Sequence, residues 1–525
     1  MSLAAPAERA AQRMIRAEDL FPEVETAQGR VRGMTSDGVH AFKGLRYGAD
    51  TGRARRFRAP EPPPTWTGVR DATAYGQYAP QAPASRQRDY ADLITFDIQG
   101  GGMGEDCLVL NLWTPTLERN ARKPVIVHLH GGGWYGGSGN APGCDGAMLA
   151  KHGDAVVVTL NHRLGAFGFL DLSSLSNDYP NSGAMGMLDI VAGLRWLREN
   201  VASFGGDPSR VLVFGQSGGG AKTSTLMAMP KAAGLFHRAG VMSGSVLRLA
   251  TPEDAAEQAE RFLQVLGLKR AQLPRLHEMP FHQVLAAQVT LEMGDRARGE
   301  APRSFAPVVH ERGAVPRHPF DPDAPEVSAH VPMLIGTTLD ERSYRTVNFD
   351  LDEGGLEGFF RRRVGSDAAM LLQQYRDEDP AASPYLLQVR LDTDAGFRRA
   401  AHLQADRKAM AFAAPVWTYL WRAPSPAYGG RLGATHGVDV GPSLHDIRRA
   451  LNGPMDSQRR LARMMSSVWA TFAATGDPHN PQVPAWPSYT LPSRATLVID
   501  TEHETVIDDP RSGLRRYWTE RPAAA

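Results

Sequence analysis

The sequence predicts an α/β protein with a large, mostly parallel central sheet, helices on its faces and helical insertions that read as a lid or cap. Three observations predict it. First, short apolar runs rich in β-branched residues recur at Pro124-Val125-Ile126-Val127-His128-Leu129, Ala155-Val156-Val157-Val158-Thr159-Leu160 and Arg210-Val211-Leu212-Val213-Phe214. Strands buried on both faces read as such continuous runs. Second, helical spacing lies between them: Met187, Val191, Leu194 and Leu197 recur every three or four positions across 184–200, and helices between buried strands imply parallel pairing. Third, the series goes on through Gly240-Val241-Met242, Met333-Leu334-Ile335 and Val416-Trp417-Thr418-Tyr419-Leu420.

Taken in order, residues 1–20 read as a loosely attached leader and 21–525 as one elaborated domain. Residues 21–75 alternate turns and short strands, punctuated by Gly29, Gly33, Gly38 and Gly44 and followed by the proline cluster at 60–64. The strand and helix series fills the middle of the chain. Helical insertions are expected at about 250–330 and 345–410, where charged, Leu- and Ala-rich stretches read as lid elements or plain surface helices.

Composition narrows the function classes. Of 525 residues 42% are hydrophobic and 22% charged, and the net charge is +1. That balance points to neither nucleic acid nor an anionic membrane as a partner, and Arg53-Ala54-Arg55-Arg56 and Arg361-Arg362-Arg363 read as solvated or ion-paired surface. The two cysteines, Cys107 and Cys144, form no C-x-x-C pair and are expected to be buried, inert thiols. The first residues lack an uninterrupted apolar core, and no stretch of about 18 apolar residues follows. A cytoplasmic location is expected.

The sharpest motif is Gly215-Gln216-Ser217-Gly218-Gly219, after the 210–214 strand and before a helix. A nucleophile on so tight a strand-to-helix turn needs flanking residues without bulk, hence Gly-x-Ser-x-Gly, the elbow of the α/β-hydrolase fold. The helix N-terminus beside Ser217 favours developing negative charge. The second motif is His130-Gly131-Gly132-Gly133-Trp134, after the 124–129 strand. Acyl transfer needs preorganised N–H donors for its oxyanion. Gly132 and Gly133, with the N–H of Gly218, are expected to supply three. No Gly-x-Gly-x-x-Gly and no Walker lysine accompany this loop, which argues against a phosphate site.

A serine nucleophile needs a base, and the base needs an orienting carboxylate. In this fold class they follow in the order Ser, Asp or Glu, His. Downstream, His436 lies in Gly433-Ala434-Thr435-His436-Gly437, whose glycines suit a loop tip; His445, in Leu444-His445-Asp446, reads as helical. His436 is preferred. Asp340 and Glu341 both follow the 333–336 strand, and the residue pattern leaves that choice open. His128-x-His130 is a conceivable metal pair, but no His-Glu-x-x-His or matching carboxylate set accompanies it. No metal or organic cofactor is expected. Trp134, Tyr135 and Gln216, next to the two motifs, are candidates for the substrate pocket, with loop packing the plainer role for Trp134.

With these residues in place, the chain resembles the type-B carboxylesterases over about 24–518. The resemblance rests on ordered blocks: Phe42-Lys43-Gly44-Leu45-Arg46-Tyr47, Glu105-Asp106-Cys107-Leu108, Asn161-His162-Arg163-Leu164-Gly165, Phe204-Gly205-Gly206-Asp207-Pro208, Ser243-Gly244-Ser245 and Phe472-Ala473-Ala474-Thr475-Gly476-Asp477-Pro478. It implies that Glu341, in Asp340-Glu341-Arg342, is the triad acid and His436 the base. Four departures stand out. Arg342 replaces a family glycine, Gln216 a glutamate and Gly218 an alanine. The cysteine that pairs with Cys107 in secreted relatives is absent, since Tyr78-Ala79-Pro80-Gln81 stands there.

The expected function is serine-dependent hydrolysis of small to medium carboxylic esters, aromatic ones included, through an acyl-enzyme. The expected partners are the ester and water, with the chain acting as a monomer or homodimer. Three rivals are a carbamate or amide hydrolase with the same triad, an interfacial lipase, and a non-catalytic binding or adhesion module of the same fold.

Overall fold

The computed structural model describes residues 16–83, 100–298, 305–448 and 451–520. Of the expected leader, residues 1–15 lie outside the described residues, and Ala17–Leu20 is a single helical turn.

Eleven strands form one sheet: β3 (Met34–Ser36), β4 (Val39–Arg46), β6 (Val109–Thr114), β7 (Lys123–Leu129), β8 (Val156–Leu160), β9 (Gly206–Gln216), β10 (Arg238–Met242), β11 (Met333–Thr338), β12 (Val416–Trp421), β13 (Ala495–Ile499) and β14 (Glu504–Asp508). Their spatial order is 14-13-12-11-10-9-7-8-6-4-3. The pairs from β8 across to β13 are parallel, and the two flanks are antiparallel. A second, three-stranded sheet joins β1 (Glu23–Thr26), β2 (Gly29–Arg32) and β5 (Val69–Asp71).

The continuous apolar runs are explained by two buried faces. Val125, Val127 and Leu129, with Val156, Val158 and Leu160, point into one core, whereas Ile126, Val157, Leu212 and Phe214 point into the other. Side chains alternate along a strand, so a strand covered on both sides must be apolar at every position. Helix Met185–Asn200 covers the first face through Met187, Val191, Leu194 and Leu197. Helix Asp456–Thr475 covers the second, where Trp469 packs on Phe214 with ring centroids 4.8 Å apart. Each fully buried aliphatic or aromatic side chain contributes about 1.5–3 kcal/mol of transfer free energy.

The two helical insertions differ in how they attach. Pro252–Val265 and Phe281–Ala297 place Phe262, Leu263, Val284 and Leu291 into the first core. Glu353–Val364, Ala368–Glu378 and Pro384–Thr393 gather Leu356, Phe360, Leu371, Tyr375 and Leu387 into a small core of their own, closed by Leu514 of the C-terminal helix. Neither cysteine is in a disulfide, and both are buried; burial pushes the Cys107 thiol far up, out of reach of its thiolate. Among the described residues no helix is long and apolar enough to cross a membrane.

The topology gathers the candidate residues. β7, β9, β11 and β12 run in one direction within the sheet. The Gly131–Gly133 loop, Ser217, Glu341 and His436 therefore all emerge at the carboxyl ends of parallel strands, the edge where open α/β sheets build their sites.

Candidate active site

Ser217 stands between β9 and helix Gly218–Leu226 with φ 57° and ψ −119°. A positive φ on a residue with a Cβ is strained, and persists only where the surroundings impose it. Here the Ser217 N–H donates to the Met242 carbonyl at 2.8 Å, and its carbonyl accepts from the Ala221 N–H at 2.9 Å. A Cβ at Gly219 would lie 1.9 Å from the Leu129 carbonyl oxygen, so the corner closes only on a bare Cα. Ser217 remains half-exposed while 211–216 and 218–220 are buried.

The glycine loop meets this corner because Leu129 of β7 pairs in register with Gly215 of β9. Gly132 and Gly133 have φ of 91° and 61°, a region that side chains disfavour. A Cβ on Gly218 would fall 2.4 Å from the Gly133 nitrogen, so the two backbones touch. The loop is held from below and behind. Lys222 Nζ donates to the His130 carbonyl at 2.9 Å, and the Gly137 N–H donates to Gln81 Oε1 at 2.8 Å.

Of the pocket candidates, Trp134 is half-buried and sets its ring edge-on to Phe169 at 5.5 Å, so it packs the loop. Tyr135 is exposed, and its ring covers Gly133 closely enough that a Cβ there would lie 2.9 Å from it. Gln216 is buried against Gly131, and its Nε2 meets no acceptor among the described residues.

His436 Nδ1 lies 2.5 Å from Glu341 Oε2, with both side chains buried. Glu341 Oε1 accepts the Thr338 N–H at 2.8 Å. Burial alone would raise the Glu341 carboxyl, but the His436 charge and hydrogen bond, the Ser243 hydroxyl and the Thr338 N–H outweigh it and bring it below its ordinary value. Ser243 directly follows Met242, whose carbonyl holds Ser217.

Asp340 and Glu341 have different partners. Asp340 Oδ1 accepts from Arg390 Nε at 2.8 Å, and Oδ2 accepts the Ala434 N–H at 2.8 Å. Asp340 thus ties the β11 turn to the His436 loop, and Glu341 alone meets the imidazole. Arg398 completes the support by donating to the Thr338 and Leu339 carbonyls at 3.1 and 3.0 Å.

Residue patterns did not point to the rings around the imidazole. Tyr344 stacks on His436 with centroids 4.8 Å apart and planes 20° apart, and Phe397 lies tilted at 5.0 Å. Phe397 sits in a π-helical segment, Asp394–Arg398, inserted between Pro384–Thr393 and Arg399–Met410. Such bulges re-aim side chains and cluster at functional sites, and a uniform helical period hides them. Arg342 lies over the Phe397 ring at 5.0 Å and Arg345 over Tyr344 at 5.0 Å.

The other histidines fall elsewhere. His445 is not helical: it has φ 56°, lies two residues past the short helix Val440–Ser443 and stacks on His152 at 3.9 Å. The helix ends at Ser443, before it reaches His445. His128 packs against Phe214 at 5.0 Å; burial and then the Lys222 charge push it down to about 4. His130 holds the Gly131 carbonyl at 2.8 Å and stacks on His162 at 5.1 Å. A strained serine, a glycine loop against its corner and an imidazole hydrogen-bonded to a carboxylate are parts that acyl transfer can use.

Comparison with known proteins identifies the family. The model described as Carboxylesterase family matches residues 21–518. Para-nitrobenzyl esterase of Bacillus subtilis is 37% identical to the chain, covering 94% of this chain and 97% of its own length. Phenmedipham hydrolase of Pseudarthrobacter oxydans is 32% identical, covering 93% and 97%. The structure of an esterase from anaerobic Clostridium hathewayi, described as able to hydrolyse aliphatic aromatic polyesters, superposes with a TM-score of 0.83 at 31% identity, covering 96% of this chain and 98% of that one.

Proposed function

The chain belongs to the carboxylesterase family and is a carboxylic ester hydrolase, and from that premise we propose that it works through Ser217, His436 and Glu341 on small to medium esters, aromatic ones included. The Ser217 Oγ attacks the ester carbonyl as His436 Nε2 takes its proton. The carbonyl π pair moves to oxygen, where the N–H groups of Gly132, Gly133 and Gly218 hold the charge. The tetrahedral species collapses, the C–O bond to the alcohol breaks, and His436 returns the proton to the leaving oxygen. Water then attacks the acyl-serine by the same route, releasing the acid and restoring the serine. Glu341 keeps the Nδ1 proton directed to itself, so that Nε2 is the basic nitrogen.

The observations that carry this reading are the 2.5 Å contact between His436 Nδ1 and Glu341 Oε2 and a serine held at positive φ at the same sheet edge. The test is stoichiometric labelling by an organophosphate, located by mass spectrometry. Labelling at Ser217 that vanishes in Ser217→Ala supports the assignment, and labelling elsewhere or none overturns it. Matched p-nitrophenyl ester, carbamate and anilide substrates then rank the bonds cleaved.

A further inference from the structure

Arg342 occupies a distinctive place beside the proposed triad. Its guanidinium carbon is 5.0 Å from the Phe397 ring centre, and that ring is 5.0 Å from the centre of His436. Arg342 is half-buried and follows Glu341 directly. The neighbouring arginines of this wall are neutralised. Arg390 pairs with Asp340 and Asp379, Arg398 with Asp394, Arg511 with Asp394 and Glu378, and Arg431 with Asp350. Arg342 pairs with no carboxylate among the described residues. Glu341, the carboxylate next to it, is fully buried and engaged by His436 and Thr338.

The rim above the imidazole is therefore positive. Burial raises the Tyr344 hydroxyl, while Arg345 and Arg342 oppose that rise and Tyr135 adds to it. These four side chains thus lie within electrostatic reach of one point. Tyr344 stands over His436, and Tyr135 stands over Gly133 of the glycine loop. A guanidinium resting on an aromatic face keeps its N–H edge for a second partner, and its fork matches a carboxylate in bidentate fashion.

We propose that Arg342 recognises a negative charge on the substrate, so that this site favours carboxylic esters bearing a second, ionised carboxylate, such as half-esters of dicarboxylic acids. The inference rests on the reading of Ser217 and His436 as the reacting pair. Arg342 holds the remote carboxylate near the rim while the ester carbonyl sits between Ser217 and the glycine loop.

The probes are p-nitrophenyl butyrate and mono-p-nitrophenyl glutarate, which share a leaving group and differ by one carboxylate. In the wild-type protein kcat/KM for the glutarate half-ester is expected to match or exceed that for the butyrate. Its KM should rise severalfold between low salt and 1 M NaCl, where charges are screened within about 3 Å, while the KM for butyrate stays level. The ratio of the two specificity constants is expected to fall about tenfold or more in Arg342→Ala, further in Arg342→Glu and less in Arg342→Lys. An unchanged ratio in all three variants overturns the proposal. Should the variants fold poorly, the wild-type salt series decides it alone: parallel salt responses for both esters overturn it. A wild-type protein inert on both esters overturns the reading of the triad and this inference with it. Normal butyrate turnover with no charge preference overturns this inference alone.

Discussion

Lys222, just over one turn into the helix that follows Ser217, donates its Nζ to the His130 carbonyl at 2.9 Å. One buried amine therefore ties the helix after Ser217 to the loop that carries Gly132 and Gly133. Burial pushes this amine down to about 7, against a small opposing effect of Cys144. The titratable side chains that share its environment, His128, His130 and His162, are themselves pushed down by burial and by its charge.

Lys222→Met leaves the His130 carbonyl without its donor, and the glycine loop loses its anchor. We expect kcat to drop on the order of tenfold with KM little changed, since the damage falls on transition-state geometry. The pH dependence of stability should change as well. The folded amine holds its proton less tightly than the unfolded one, so folding is penalised below about pH 7. That penalty fades as pH rises toward 10.5, with an upper bound of about 5 kcal/mol. Melting temperatures from pH 6.5 to 9.5 should climb relative to the variant; parallel curves would contradict the assignment.

Gly218→Ala tests the contact between the corner and the loop. The added methyl carbon would sit 2.4 Å from the backbone nitrogen of Gly133, and backbone cannot swing aside as a side chain does. The loop must retreat. Relatives carry alanine at this position, so a retreated loop keeps its donors; we expect kcat/KM to fall by less than about tenfold, with the melting temperature within a few degrees. Wild-type turnover in this variant would mean that the loop has room to adjust.

Asp439 gives a second pH signature. Its Oδ2 accepts the Tyr419 hydroxyl at 2.7 Å, and Oδ1 meets no donor among the described residues. Burial raises this carboxyl to about 6; the Tyr419 hydrogen bond lowers it, while the Glu341 charge adds to the rise. The folded state therefore binds a proton more tightly than the unfolded chain. The resulting stabilisation is complete below about pH 3.8 and is lost as pH rises through 6, amounting to at most about 3 kcal/mol. Asp439→Asn keeps an acceptor for Tyr419 and removes the titration. Relative to wild type it should be more stable at pH 8 than at pH 5, and a gap equal at both values would rule out the shift.

Glu341→Gln removes the charge opposite His436 while keeping the side chain's shape. The Gln amide favours the wrong imidazole tautomer. We expect kcat to fall on the order of 10³- to 10⁴-fold with organophosphate labelling slowed in parallel. Asp340→Asn is the control: Asp340 meets Arg390 and Ala434, not the imidazole. Its loss should lower thermal stability far more than it lowers kcat. A reversal of that pattern would exchange the two assignments.

Much of this protein follows from short-range rules. The strands were readable because two-sided burial demands apolar residues at every position, as in Val125–Leu129 and Val156–Leu160. The Ser217 corner and the Gly131–Gly133 loop were readable because each backbone conformation depends on glycines within a few positions. Residue patterns left Asp340 and Glu341 equivalent, and family resemblance alone favoured Glu341. His445 read as helical because its neighbours form a short helix, which ends at Ser443 before a positive φ at His445 itself.

What only the tertiary structure decided is which distant groups touch. Adjacent carboxylates part company because the backbone turns between them, sending Asp340 to Arg390 and Glu341 to His436. Tyr344 and Arg342 come from the 3-10 turn Glu341–Arg345, and Phe397 from a five-residue π-helical segment whose register no periodicity announces; together the two rings flank the imidazole and Arg342 lies over Phe397. A local conformation is selected by the residues that adopt it, so sequence reveals it. A contact across 50 to 95 positions, such as Asp340 with Arg390 or Glu341 with His436, is selected by how strands and helices pack, and that is a property of the whole chain.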